Sequence, residues 1–484
     1  MKLTDANFKR RFSINYYRNL TLKLGEMSFF KDWVNAAGRG DPYPTTYSSG
    51  SFTERTGDSK YTVSFSGESE VHRLLGAYFP WASCDVDIES MSSETGLYIS
   101  SPIGDVSVTL LSDGKLLFVS PNSELFFDTK ISAPTTLSFE FRNRGVSIYE
   151  ISGAKQKFIT DFKDEFLTEL TRSDILADTK MNLLLRGSAG KSVISRVEWY
   201  IHAGISQADI RPIRYEDGTP IIERGRVFFT ATARFFEYKY QVVLSWNPTL
   251  CDFKLEGAIL FESGDGYLLD DVASSLIYDR NAGFWRIAMC SFSRGHIIGR
   301  GVSHSDPRFG INVIDINLVP PAEKDADRYD LFGFDGDEDP DMIYVDGRWY
   351  FAVCRPEEDG YHYYHFVSRD LESFEFVART EGTEKTGGLY VRAEDGIYFV
   401  CGSDFKKRAV YDVYTLDNLS TPVMNLTPDY DDGGFRGWGS VMMLPCGSRY
   451  RYYWVTFDRH LGSSFNWSYG NVYVFESEMF KLGS

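Results

Sequence analysis

From about residue 46 to residue 203 the chain alternates apolar and polar positions with a period of two. The runs "KYTVSFSG", "ASCDVDIES", "TGLYISS", "DVSVTLLSDGKLLFVS" and "TTLSFEFRNRGVSIYEI" are broken by short polar turns. Period two with turn residues at short intervals predicts strands with one buried face, and their density predicts a β-sandwich. Residues 1 to about 45 are mixed, and "NLTLKLGEMSFFKDWVNAAG" predicts a helix there.

Beyond residue 204 the alternation continues, but in repeating units. "SSLIYDRNAGFWRIAMCSFS", "DMIYVDGRWYFAVCR", "GLYVRAEDGIYFVCGSD" and "SVMMLPCGSRYRYYWVTFDR" share a short apolar strand, a turn with Gly and an aromatic strand. "IRPIRYEDG" ahead of "VFFTATARFFEYKYQVVLSW" has a similar order. Units recur at roughly 45 to 68 residues, the size of a four-stranded propeller blade, and five of them predict a five-bladed β-propeller. The expected organisation is all-β: a sandwich over 1–203, with a short extension over about 1–45, and a propeller over 204–484.

Composition narrows the function classes. The net charge of −17 argues against nucleic acid, whose phosphates need a basic footprint. No run of 18 apolar residues exists, so no membrane-spanning helix is expected. The N-terminus lacks the apolar core of a signal peptide, which reads as cytoplasmic. Cys84, Cys251, Cys290, Cys354, Cys401 and Cys446 are scattered without a CxxC pair, so buried free thiols are expected rather than disulfides or a metal site. Neither metal nor other cofactor is expected. Aromatic content of 16% suits a strand-rich core and also supplies rings on which sugars stack.

The candidate chemistry lies at the blade openings. The first strand of a propeller blade lines the central channel, so acids at its start converge. Blade one offers Asp209; blade two Asp270 and Asp271; blade three Glu338 and Asp339; blade four Glu381 and Glu384. In "DGDEDPD" five carboxylates, Asp335, Asp337, Glu338, Asp339 and Asp341, crowd together, which raises their pKa values. Pro340 is expected to restrict Asp339 to an extended conformation. Asp341 and Asp335 read as solvated loop acids, and Asp346 and Asp395, each before Gly, as hairpin-turn residues. Blade five brings Arg436 for a hydrogen bond and Trp438 as a stacking platform for a sugar. Carboxylates from several blades around one ligand suit glycoside cleavage, with one as base or nucleophile and another protonating the leaving oxygen.

"ADIRPIRYEDG" and "EDPDMIYVDGRWYF" resemble the blade openings of five-bladed propeller glycosidases of the furanosidase superfamily, glycoside hydrolase families 43, 32 and 68. Similarity to family 43 implies Asp209 as base and Asp339 as pKa modulator. Its "EGP" proton-donor motif is replaced by "TGG" in blade four, so Glu384 would serve from a shifted position. Similarity to family 32 implies Glu338 as acid/base, Asp209 as nucleophile and Asp270 or Asp271 as stabiliser, although its "WMNDPNG" signature is absent. "EDPD" also echoes the "EDPR" of family 130 mannoside phosphorylases and mannosidases, with Asp341 in place of Arg. "SRVEWYIHAG" resembles the last strand of concanavalin-like sandwiches. The resemblance implies a glycosidase acting on an oligosaccharide or other glycoside, exo-acting on an arabinofuranoside or fructofuranoside. A mannoside phosphorylase or pyranosidase, and a non-catalytic carbohydrate-binding protein, stand as alternatives.

Overall fold

The computed structural model describes residues 1–14, 19–27, 43–57, 59–153, 155–235, 238–320, 332–403, 410–427, 438–457 and 471–483. These residues are almost entirely β-structure. The chain divides into two compact units, Met1–Thr21 with His202–Ser484, and Leu22–Ile201.

In the larger unit five four-stranded antiparallel meanders form blades. Blade one is Ser206–Pro212, Arg226–Arg234, Lys239–Asn247 and Asp252–Glu262; blade two is Asp271–Asp279, Phe284–Ser291, Ile297–Ser303 and Gly310–Leu318. Blade three is Glu338–Val345, Arg348–Glu357, Gly360–Ser368 and Glu375–Arg379; blade four is Thr386–Arg392, Ile397–Ser403, Val410–Thr415 and Met424–Leu426. Blade five is Ser440–Cys446, Arg449–Phe457 and Val472–Glu476, completed on its outer side by Lys9–Ile14. The first strands of the five blades neighbour one another in cyclic order, blade five returning to blade one. That is the arrangement of a five-bladed β-propeller. Blades one and two are also joined by parallel pairing of their outer strands, Gly257 to Glu262 against Gly310 to Asp315.

The N-terminal segment departs from expectation. Lys9–Ile14 pairs antiparallel with Val472–Glu476, so the start of the chain belongs to the last blade rather than to the sandwich-like region. Leu3 and Phe8 are buried with Trp454 and Phe475 of that blade, the Phe8 and Trp454 rings meeting edge-to-face at 5.8 Å. The expected helix is also absent over its described part. Thr21–Met27 is a strand, consistent with the period-two alternation of "TLKL", and the rest of that stretch lies outside the described residues.

The smaller unit has two sheets, one of seven strands and one of eight, all antiparallel in their neighbouring pairs. Val71, Leu97, Val108, Leu183 and Leu185 of the first sheet meet Val63, Val86, Leu137, Phe139, Ile194 and Val197 of the second in one apolar core. All six cysteines are free thiols, with Cys84, Cys290, Cys354 and Cys401 buried.

Candidate functional site at the blade openings

One local device recurs at the start of the inner strands. The register with the second strand slips between Ala208 and Arg211 in blade one, and between Val272 and Ser275 in blade two. It slips again between Glu338 and Asp341 in blade three and between Thr386 and Leu389 in blade four. Each slip is a β-bulge, and its first extra residue has a positive φ: Asp209 54°, Ala273 56°, Asp339 51° and Gly387 60°. Bulges re-aim side chains and are enriched beside active sites. Left-handed conformations at non-glycine residues cost roughly 1–3 kcal/mol and persist where surrounding structure fixes them. Asp339 is therefore not extended. The bulge overrides the preference that Pro340 imposes, and aspartate is among the residues that tolerate it best.

The four bulge positions are structurally equivalent, and only blades one and three place an acid there. Asp209 is 6% exposed and accepts a hydrogen bond from Thr232 Oγ1 at 2.5 Å, with Arg234 Nη2 at 4.0 Å. Asp339 is 5% exposed, and its Oδ2 accepts from Thr386 Oγ1 and from the Gly387 amide, each at 3.2 Å. Burial, then the charges of Glu338 and Asp209, push the Asp339 carboxyl up to about 7, against a pull from Arg211 and the Gly387 amide. Asp339 thus holds a proton near neutrality beside a second carboxylate, the environment a proton donor needs. Glu338 is half-buried, with Oε2 at 3.5 Å from His296 Nδ1.

Glu384, also at positive φ (57°), lies in the loop before blade four beside the Gly360–Tyr361 turn. With Glu338 and Asp339 it contributes to raising the Tyr361 hydroxyl to about 12, burial being the largest cause. These acids therefore share one neighbourhood. Asp270 is half-buried, and its charge, with that of Asp209, is felt by Lys239. The Lys239 ammonium sits 4.5 Å from the Phe292 ring centre, and burial lowers its pKa.

Three sequence expectations are corrected. Asp271 is 2% exposed and its Oδ2 lies 2.7 Å from Arg294 Nη1, while Arg294 also grips Asp265 at 2.8 and 2.9 Å. The bulge has turned Ala273, not Asp271, to the position that Asp209 and Asp339 occupy, so Asp271 anchors the turn carrying Phe292 and His296. Trp438 is 3% exposed: Arg211 covers its ring at 4.9 Å, and its indole N–H donates to the Ile210 carbonyl inside the blade-one bulge. A ring so enclosed braces the bulge and offers no face to a sugar. Asp341 is not a solvated loop acid. At 1% exposure it accepts from Arg214 Nη2 at 2.6 Å, Ser275 Oγ at 2.7 Å and the Tyr390 amide at 2.7 Å, which ties blades two, three and four to the segment that follows the first inner strand. Arg436 lies outside the described residues.

Other acids of "DGDEDPD" are spoken for or apart. Asp337 is fully buried in a two-pronged pair with Arg355 at 2.7 and 2.8 Å, and Asp335 is exposed. Asp346 and Gly347, at φ 48° and 82°, form the hairpin turn read from the sequence. Among the described residues one group, Glu357, Asp359 and His362, gathers possible metal-ligand atoms within 4.8 Å. Glu357 is already held by Arg379 at 2.8 and 2.8 Å and His362 by Asp359 at 2.9 Å, so ion pairs account for the cluster.

Sequence reasoning missed Arg211, Arg234, Lys239, His296 and Tyr361. Each stands at or next to a strand end. The available signal was position: Arg211 two residues after Asp209, and Arg234 close in sequence to Lys239, with which it pairs.

No protein-family model matches the chain, and no curated protein matches it. Similar solved structures exist. Bacillus subtilis levansucrase is 12% identical with a TM-score of 0.40, covering 58% of this chain and 88% of its own. A family 117 glycoside hydrolase of Zobellia galactanivorans is 13% identical with a TM-score of 0.38, covering 56% and 84%. A thermostable family-43 glycoside hydrolase is 14% identical with a TM-score of 0.39, covering 58% and 93%.

Proposed function

We propose that the protein is a glycoside hydrolase cleaving O-glycosyl bonds with the carboxylates at the channel mouth, exo-acting on a furanoside such as an arabinofuranoside or fructofuranoside. The observation that carries the reading is the contrast between Asp209 and Asp339. Asp209 lies 4.0 Å from Arg234 Nη2 and accepts a hydrogen bond from the Thr232 hydroxyl. Asp339, buried between Asp209 and Glu338, keeps a proton to about 7. Two carboxyl groups in opposed environments divide into base or nucleophile and acid. Asp209 takes the first role. The Glu338–Asp339 pair holds the proton that reaches the glycosidic oxygen as the C–O bond breaks, Glu338 being the more open of the two. Glu384 and Asp270 flank the sugar. Residues 22–201 act as an accessory unit of concanavalin-like type.

A non-catalytic carbohydrate-binding protein is the second reading, favoured by Ala273 and Gly387 at two of the four bulges. Nitrophenyl glycosides, furanosides included, separate the two. Hydrolysis that Asp209→Asn and Asp339→Asn each abolish supports the enzyme. Glycan binding without turnover by the parent protein on the whole panel sinks it.

A further inference from the structure

Arg211 occupies an unusual place between the two acid-bearing bulges. It is 2% exposed, two residues after Asp209 on the inner strand of blade one. Its Nη1 donates to the carbonyl of Pro340, the residue directly after Asp339, and lies 3.5 Å from Asp341 Oδ1. Its guanidinium lies over the Trp438 ring at 4.9 Å, while Trp438 and Ser440 both donate to the Ile210 carbonyl next door. Blades one, three and five are thus joined at one cation. Nε and Nη2 of Arg211 are buried and make no hydrogen bond among the described residues.

We propose that Arg211 is a positioning residue for the carboxyl pair: it fixes the blade-three bulge against the blade-one bulge and supplies the compensating charge beside Asp339. The inference rests on the reading of Asp209 and Asp339 given above. Asp339 is faced by Glu338 on its own strand and by Asp209 and Arg211 from blade one. The thiols of Cys290 and Cys354, the hydroxyls of Tyr361 and Tyr363, and the Thr386–Gly387 donors complete its surroundings. Arg211 is the positive charge in that set. Without it, Glu338 and Asp209 act on Asp339 less opposed, so Asp339 keeps its proton to higher pH. A brace that merely held the blades would lower stability alike at every pH.

The test needs no substrate. Thermal midpoints of the protein and of its Asp339→Asn variant are compared from pH 4 to pH 9. The pH at which their difference levels off reports the Asp339 proton. The same pair is then measured with Arg211→Gln and with Arg211→Met, in sucrose for all samples so that weakened variants fold. The expected result is an upward move of that levelling point by about one pH unit in either folded variant. A levelling point that stays put, with the midpoint lowered equally in both backgrounds, overturns the proposal. Failure of both Arg211 variants to fold in sucrose also overturns it, since the role is then structural. Lack of glycosidase activity in the parent would count against the proposed reaction and leave these melting curves unaffected.

Discussion

Arg214, in the short segment after the inner strand of blade one that pairs parallel with blade two, places Nη2 2.6 Å from both carboxylate oxygens of Asp341 in blade three, with both residues almost wholly buried. Asp341 also accepts from Ser275 in blade two and from the Tyr390 amide in blade four. A buried pair gains little over a well-packed apolar pair, yet breaking it strands a charge at a cost of about 3–5 kcal/mol. Asp341→Asn and Arg214→Met are each expected to destabilise by that order in urea unfolding. A loss below about 1 kcal/mol would return Asp341 to the class of surface acids, whose pairs are worth no more.

Asp339 predicts a pH dependence of opposite sign to that of carboxylates held low by an ion pair. Its folded pKa, about 7, lies above the unfolded value of 3.8. Between those values the folded state binds the extra proton, so stability falls as pH rises from about 4 to about 7 and is flat beyond. The full span corresponds to roughly 4 kcal/mol as an upper figure, given the coupling to Glu338 and Asp209. Asp339→Asn removes the slope, and asparagine accepts the positive φ at least as well. Melts across pH 4 to 8 check this. A parent curve parallel to that of the variant would mean that Asp339 ionises as an ordinary carboxylate. In activity, the basic limb should fall through about pH 7 if the Glu338–Asp339 proton is the one transferred.

Period-two alternation and blade-length spacing made the β-architecture legible, because each strand buries one face and each meander repeats. The blade openings also pointed to Asp209, Glu338 and Asp339 before any geometry. What stayed hidden was the one-residue slip at four of the five openings. A bulge adds a single residue and re-aims the side chains around it, so Ala273 rather than Asp271 stands where Asp209 and Asp339 stand, without any change in apolar pattern. Burial by distant partners was equally invisible. Nothing local marks Asp341 as the acid that Arg214 meets across 127 positions, or Trp438 as a cap on Ile210. The N-terminal strand was misplaced for a similar reason, since its partner Val472–Glu476 lies at the far end of the chain.

That pairing predicts a stability effect far from the channel mouth. Lys9–Ile14 covers the outer edge of Val472–Glu476, and Phe8 packs on Trp454. Phe8→Ala should cost about 3 kcal/mol or more, as buried aromatic truncations do. Removing residues 1–14 should cost more, since it also bares a strand edge open to pairing with other chains. Thermal melts and light scattering read both effects. Tyr47→Ser, at a half-exposed ring in the other unit, serves as the control and should leave the midpoint nearly unchanged.

Asp209 and Asp271 open neighbouring blades, and the structure gives them different work. Asp209 stands at a bulge beside Thr232 and Arg234 with the Asp339 carboxyl near it, where the proposed reaction places the sugar. Asp271 is two residues short of its own bulge and bound to Arg294, which Asp265 shares. On the proposed function, Asp209→Asn should cut turnover by about 100-fold or more with the fold intact, because it removes the proposed base or nucleophile. Asp271→Asn should weaken the anchor of the Phe292–His296 turn, raising KM more than it lowers kcat and costing turnover less than about 10-fold. Steady-state kinetics of both variants on the best nitrophenyl substrate decide the matter. Equal losses in kcat would put Asp271 among the reacting groups, as the family 32 resemblance implies. A surviving kcat in Asp209→Asn would remove the carboxylate on which the proposed chemistry depends.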